Sequence, residues 1–253
     1  MPENHDPQKT MWGFDNPDAV ARYAEGPRKQ VPGHESLLVM TDILLSEKVA
    51  DAGEVLVVGA GGGLELTQLA RNHPDWRFVG VDPSAPMLAL AEASLGPMTA
   101  RARMHCGYVD SAPMGLFDGA TCLLTLHFVP VAERLATLRA IRDRLKPGAP
   151  FVCAHYSVPG DAIERGQWFA RNAAFAERSG MPAEMARAGA VKIAAELPIL
   201  TPAEDESLLA QAGAPQVIVI DDGSTDSTSA RLASAASRCE RVRAFRARPL
   251  PAD

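Results

Sequence analysis

From residue 54 onward, short apolar runs alternate with longer stretches in which apolar residues recur every three or four positions. VLVV (55–58) is apolar on both parities, which predicts a strand covered on both faces. WRFVGV (76–81), RARMHCGYV (101–109), ATCLLTL (120–126) and APFVCAHYS (149–157) predict four more strands. Between them, Leu66, Leu69 and Ala70 share one helical face, as do Leu88, Ala91 and Leu95. Val131, Leu135, Leu138, Ile141 and Leu145 define a further helix, ended by KPG (146–148). Strands and helices in this alternation predict right-handed crossovers and a doubly wound α/β sheet.

The flanks break the rhythm. Residues 1–50 read as an irregular arm followed by a helix near 35–50, part of a cover over the site. Residues 160–200 are alanine-rich and helical, with Trp168 and Phe169 for packing; they are either a lid or padding. Thr201-Pro202-Ala203-Glu204 is a capping box with proline at the first helical position, and the helix it starts ends at Gly213. The chain therefore divides into an arm (1–50), a central domain (51–215) with a helical insert (160–200), and an atypical C-terminal segment (216–253) reading strand, acidic loop, helix, strand.

Composition narrows the class. The 253 residues suffice for one sizeable core, and 47% hydrophobic content is ordinary for a globular chain. No apolar run reaches the roughly 18–20 residues of a membrane span, and MPENHDPQKTMWGF lacks a signal-like apolar stretch. Cys106, Cys122, Cys153 and Cys239 are scattered, with no metal-ligand spacing, so a reduced, cytoplasmic setting without a metal is expected. The first three fall in strand-like segments and read as buried thiols. A net charge of −6 disfavours nucleic acid as a partner. A small molecule is the expected partner, and a homodimer is allowed.

The chemistry concentrates after the first strand. Gly59, Gly61 and Gly63 give GxGxG, not the GxGxxG of dinucleotide folds, because Leu64 stands at the third position. Bare backbone there lets a ligand approach closely; the alternative is a tight turn with no ligand. Asp82 closes the second strand, where a carboxylate can accept both hydroxyls of a ribose. Met87 lies within reach of a base's face, although a helical methionine is more often core.

VLVVGAGGGLEL, FVGVDPSAPML and LKPGAPFVCAHYS resemble the first, second and late motifs of class I S-adenosylmethionine-dependent methyltransferases. The resemblance spans roughly residues 30–215. It implies a Rossmann-like seven-stranded sheet of order 3-2-1-4-5-7-6 and S-adenosyl-L-methionine as cofactor. It implies that Gly59, Ala60, Gly61 and Gly63 wrap the methionine part, and that Asp82 holds the ribose. Pro83, Met87, Tyr108, Val109 and Leu123 would line the rest of the cofactor pocket. VPGH (31–34), the stretch 124–150 and LTPAEDESLLAQAGA (200–214) are similar to the branch containing carboxy-S-adenosylmethionine synthases of wobble-uridine modification.

Several positions depart from that pattern. Val57 replaces an acid at the end of the first strand, and Tyr108 an adenine-binding aspartate, with Asp110 two residues on. His34 and Leu123 replace the branch's tyrosine and asparagine. Lys192 is the nearest match to its carboxylate-pairing arginine, and a lysine cannot form a bidentate fork. Plain methyl transfer to a small-molecule acceptor is the expectation, with the carboxylated cofactor or a tRNA-modification role as the alternative. Candidate catalytic residues follow the fourth and fifth strands: His127, the preferred base, His155 and Tyr156, with His34 in the substrate pocket. For each histidine a structural role is the competing reading. VIVIDDGSTDST and RVRAFRARPLP resemble part of a family 2 glycosyltransferase over about 38 residues. The tail is then the sheet's own last strands, with 217–220 docking sixth, a fusion remnant, or a mis-joined sequence.

Overall fold

The computed structural model describes residues 13, 14, 16, 20, 23 and 26–213, and the strands at 217–221 and 242–246. Two helices, α1 (Gly26–Gln30) and α2 (His34–Ser46), precede the sheet. The alternation then runs β1 (Glu54–Val58), α3 (Leu64–Asn72), β2 (Arg77–Asp82), α4 (Ala85–Leu95) and β3 (Ala102–Cys106). It continues through β4 (Gly119–Leu123), α5 (Val131–Arg142) and β5 (Phe151–Ala154). The insert is a pair of helices, α6 (Ala162–Arg178) and α7 (Ala183–Glu196), and α8 (Pro202–Gln211) follows.

The five strands pair in parallel in the order β3-β2-β1-β4-β5. Strand order reverses at β1, so the carboxyl ends of β1 and β4 open the crevice where such sheets bind ligands. β4 and most of β1 are buried, as apolar residues on both parities require. One face packs Leu56, Val58, Val79 and Cys122 against Leu138 and Ile141 of α5. The other packs Val55, Val57 and Phe78 against Leu66 and Leu69 of α3 and Leu45 of α2. Thr201 caps α8 through the expected capping box, and Gly213 follows the helix with φ +86°. In the insert, Phe169 of α6 and Ala190 of α7 pack with Val158, Leu197 and Ile199.

The seven-stranded sheet requires correction. Among the described residues the main sheet has five strands, and β6 (Val217–Asp221) pairs with β7 (Val242–Arg246) in a sheet of their own. Residues 217–220 therefore do not add as its sixth strand. The β6–β7 pair is parallel, with Val217 opposite Val242 and Asp221 opposite Arg246. Parallel neighbours cannot be joined by a hairpin and need a crossover of a dozen or more residues, which 222–241 supply. The helix expected in that crossover, like Cys239, lies outside the described residues. The cysteines divide: Cys122 is buried and Cys153 half-buried, but Cys106 is exposed because β3 forms the sheet's edge.

Candidate active site

At the end of β1 the main chain turns sharply. The N–H groups of Gly59 and Ala60 both donate to Val81 O, at 2.8 and 3.0 Å, which ties the loop to β2. Gly59 has φ +74°, and a β-carbon there would collide with Thr125, so glycine is required with or without a ligand. At Gly63, a β-carbon would lie 2.8 Å from Ala91 Cα, so this glycine lets α3 and α4 approach. Gly61 is different: an added β-carbon meets nothing closer than 3.3 Å, and its nearest neighbours would be Tyr23 Oη and Met87 Cε.

Asp82 joins the loop to the next helix. Its Oδ2 accepts from Gly61 N and its Oδ1 from Ser84 N, both at 2.9 Å. Ser84 caps α4 by accepting from Met87 N. Two main-chain donors fix the carboxylate at the end of β2. Gly59, Ala60, Gly61, Asp82 and Met87 thus come together in one crevice. Met87 is buried beside Gly61. Pro83 follows Asp82, and its carbonyl accepts from Cys106 Sγ at 3.6 Å. Leu123 is the last residue of β4 and its carbonyl accepts from Thr125 Oγ1 at 2.9 Å. Tyr108 is exposed just past β3, while the Val109 side chain packs in the core.

An arc of rings spans the crevice. Tyr23 lies over Gly61 and Gly62. Its ring meets Phe14 edge-on at 6.0 Å, and Phe14 meets Phe128 at 5.6 Å. Phe128 adjoins His127 at 4.5 Å, and His127 meets Tyr156 at 5.0 Å. Ser84 Oγ donates to Phe14 O at 2.8 Å, which fastens the arm to the start of α4. Burial, then the charges of Asp82 and Glu65, push the Tyr23 hydroxyl up to about 12, so it remains a neutral donor.

The two central histidines sit in opposite environments. His127 is buried, and its Nδ1 accepts from Tyr156 N at 3.2 Å. Burial, then His155 and Arg134, push its pKa down to about 3. It is a neutral ring with Nδ1 already used. His155 is its opposite. Burial disfavours its charge, but Asp205, 3.2 Å from Nε2, and Cys153, 3.4 Å from Nδ1, outweigh burial and hold it at about 9. Asp205 and Cys153 thus favour the protonated form of His155. The Tyr156 hydroxyl is pushed up, chiefly by burial. His34 is buried at the start of α2, and burial, then Arg28, lowers its pKa. Lys192 is exposed on α7, 3.9 Å from Glu196.

Sequence reasoning missed four residues here. Leu124 has φ +53°, the one non-glycine with positive φ among the described residues, at the carboxyl end of β4. A leucine rarely adopts this left-handed conformation, so the turn after β4 is strained. Arg134 is wholly buried and donates from Nε to Val129 O at 3.0 Å and from Nη2 to His127 O at 3.5 Å. It thereby fixes the turn carrying His127 and Phe128. Asp205 lies between Arg134 and His155. Glu65 is buried in the first turn of α3, and burial, opposed by the Thr121 hydroxyl, lifts it to about 7. A charged residue inside an apolar helical period was the available signal for Glu65 and Arg134.

Residues 55–148 match the family described as "Methyltransferase domain". This stretch is thus similar to methyltransferase domains. The chain is 29% identical over 141 residues to a carboxy-S-adenosyl-L-methionine synthase of Marinobacter nauticus, covering 53% of this chain and 56% of that protein. It is 36% identical over 112 residues to the ubiquinone/menaquinone biosynthesis C-methyltransferase UbiE of Rubrivivax gelatinosus, covering 43% and 41%. The chain thus spans about half the length of the curated relatives it matches. Among solved structures, it superposes on the O-methyltransferase NcsB1 of neocarzinostatin biosynthesis, bound to S-adenosyl-L-homocysteine and 1,4-dihydroxy-2-naphthoic acid. The TM-score is 0.53 at 20% identity, over 81% of this chain and 56% of that one, a likeness of fold.

The crevice at the carboxyl ends of β1 and β2 fits S-adenosyl-L-methionine. Asp82 offers a preset carboxylate, Gly61 adds no side chain to the crowded space between Tyr23 and Met87, and Met87 supplies an apolar wall.

Proposed function

We propose that the protein binds S-adenosyl-L-methionine in this crevice and transfers its methyl group to a small-molecule acceptor held beneath the aromatic arc. The observation that carries the reading is the double clamp on Asp82, whose two oxygens are aimed by Gly61 N–H and Ser84 N–H. Asp82 would accept the ribose hydroxyls. Gly59, Ala60 and Gly61 would follow the methionine part, Gly63 would keep the following helix close, and Pro83, Met87, Tyr108, Val109 and Leu123 would border the adenosine. When bound, the cofactor supplies an activated methyl group on a sulfonium. The chain's own work is alignment of the acceptor and exclusion of water, and orientation alone contributes about 7–11 kcal/mol to such reactions.

His127 and Tyr156 act in this reading as positioning residues. A ring with pKa about 3 does not take a proton at neutral pH, and an imidazolium with pKa about 9 has no free lone pair to take one. The acceptor therefore brings its own available lone pair: an enolate, phenolate or unprotonated amine. The rings of Phe14, Phe128 and Tyr156 favour a flat, largely apolar acceptor. His34 would border the same pocket. NcsB1 likewise binds a small molecule, 1,4-dihydroxy-2-naphthoic acid. The carboxylated cofactor is the weaker reading, because Lys192 faces Glu196 on an exposed helix surface.

Mass spectrometry of small molecules released from the purified protein tests the proposal. S-adenosylmethionine or S-adenosylhomocysteine should co-purify with the wild type and be lost from Asp82→Ala. Retention of either by the variant removes the assignment of Asp82.

A further inference from the structure

Behind the aromatic arc, between the sheet and helices α5 and α8, four ionisable side chains form a chain of contacts. Cys153 Sγ lies 3.4 Å from His155 Nδ1, and His155 Nε2 lies 3.2 Å from Asp205 Oδ2. Asp205 Oδ1 lies 3.8 Å from Arg134 Nη1. The side chains of Arg134, His155 and Asp205 are 0%, 8% and 9% exposed. When His155 is protonated, two buried cations share one carboxylate, which leaves one positive charge uncompensated. Buried charges persist only when paired. The remaining group in the chain able to supply a negative charge is the Cys153 thiol.

Cys122 stands beside it. The two cysteines are direct partners in the β4–β5 register. Neighbouring strands run about 4.7–4.9 Å apart, inside the roughly 4.4–6.8 Å Cα separation that a disulfide accepts. The groups facing Cys153 are Cys122 from β4, His155 just after β5, Asp205 from α8 and Arg134 from α5. The hydrogen bond from Cys122 lowers the Cys153 pKa most, burial opposes it, and His155 lowers it further, to about 6. The Cys122 thiol is pushed well up, first by Cys153 and then by burial.

We propose that Cys153 is held as a thiolate by the Arg134–Asp205–His155 chain and that Cys153 and Cys122 form a dithiol oxidisable by a hydroperoxide. The thiolate sulfur attacks the peroxide O–O bond. Sulfur is oxidised to a sulfenic acid and the peroxide is reduced, its leaving oxygen departing as water or an alcohol after taking a proton. The Cys122 sulfur then attacks the sulfenic sulfur, an S–S bond forms, the S–OH bond breaks, and water leaves with the Cys122 proton. The product is a cross-strand disulfide tying β4 to β5 below His127 and Tyr156. It also removes the anion beside His155, whose proton then rests on Asp205 alone.

The test uses the full chain and needs no acceptor or cofactor. Ultraviolet thiolate absorbance is titrated against pH in the wild type and in Cys153→Ser. The wild type should show a step near pH 6 that Cys153→Ser lacks, and His155→Gln should move it up by a pH unit or more. After treatment with hydrogen peroxide, peptide mass spectrometry should find Cys122 and Cys153 linked and reversed by a thiol reductant. Cys122→Ser should instead give a Cys153 sulfenic acid trapped by dimedone. A Cys153 step in the ordinary thiol range, about 8.5, overturns the proposal. So does a treated chain in which exposed Cys106 is oxidised while Cys122 and Cys153 stay unlinked.

Discussion

The ring nitrogen of His127 that a base would use is occupied: its Nδ1 accepts the main-chain N–H of Tyr156 at 3.2 Å. One hydrogen bond thereby joins the segment after β4 to the segment after β5, and a candidate catalyst becomes a brace. The buried ring should not titrate between about pH 5 and pH 8 in NMR spectra. Replacing it by Ala strands a buried N–H, which costs about 1–3 kcal/mol, besides the packing lost with Phe128 and Tyr156. A ring titrating near its ordinary value of about 6.5 would restore His127 as a base.

Arg134 should matter more than its distance from the crevice suggests. Arg134→Met leaves Asp205 partnered by His155 alone and removes the donors from the carbonyls of Val129 and His127. Breaking one partner of a buried ion pair typically costs about 3–5 kcal/mol. Denaturant unfolding of the variant checks the figure, and a loss below about 1 kcal/mol would mean that solvent already reaches the cluster.

Glu65 gives a pH signature. Its folded pKa of about 7 lies above the ordinary carboxyl value of 4.5. The protonated form is favoured in the native state, so its contribution is complete below about pH 4.5 and is lost as pH rises through 7. Glu65→Gln should therefore gain stability relative to wild type between those values, by about 1.4 kcal/mol for each pH unit that separates the two pKa values. Urea unfolding of both proteins near pH 4.5 and pH 8 measures the difference. A constant difference across that range would place an ionised carboxylate in the core.

Gly59→Ala meets two penalties, the left-handed backbone and the Thr125 side chain. The backbone cost is about 1–2 kcal/mol, and the collision adds to it. In a Thr125→Gly background the collision disappears and the backbone cost should remain. A double-mutant cycle by thermal or urea unfolding measures the coupling. Additive effects would show that the loop moves freely away from Thr125.

The five-stranded sheet was legible because apolar runs and helical periods repeat at regular spacing from Val55 to Ala154. The GxGxG loop and Asp82 were legible because they sit at fixed points of that pattern. Local pattern does not report where a side chain's hydrogen bonds go. His127 and His155 look alike in sequence, yet burial, then His155 and Arg134, lower the pKa of one, while Asp205 with Cys153 raises that of the other. Asp205 lies 50 residues after His155 in an acidic helix start, where nothing local marks it as an ion partner. VIVI (217–220) pairs with β7 and not with the main sheet, because an apolar run identifies a strand without naming its neighbour.

The central claim is that Asp82, fixed by Gly61 and Ser84, holds the ribose of S-adenosylmethionine. Isothermal titration of S-adenosylmethionine into wild type and Asp82→Ala tests it most directly. Removal of a charged hydrogen-bond acceptor, worth about 1.5–3 kcal/mol, should weaken binding by roughly ten- to a hundredfold while the variant stays folded by circular dichroism. Equal affinity in the two proteins, or no binding to the wild type, would contradict the account.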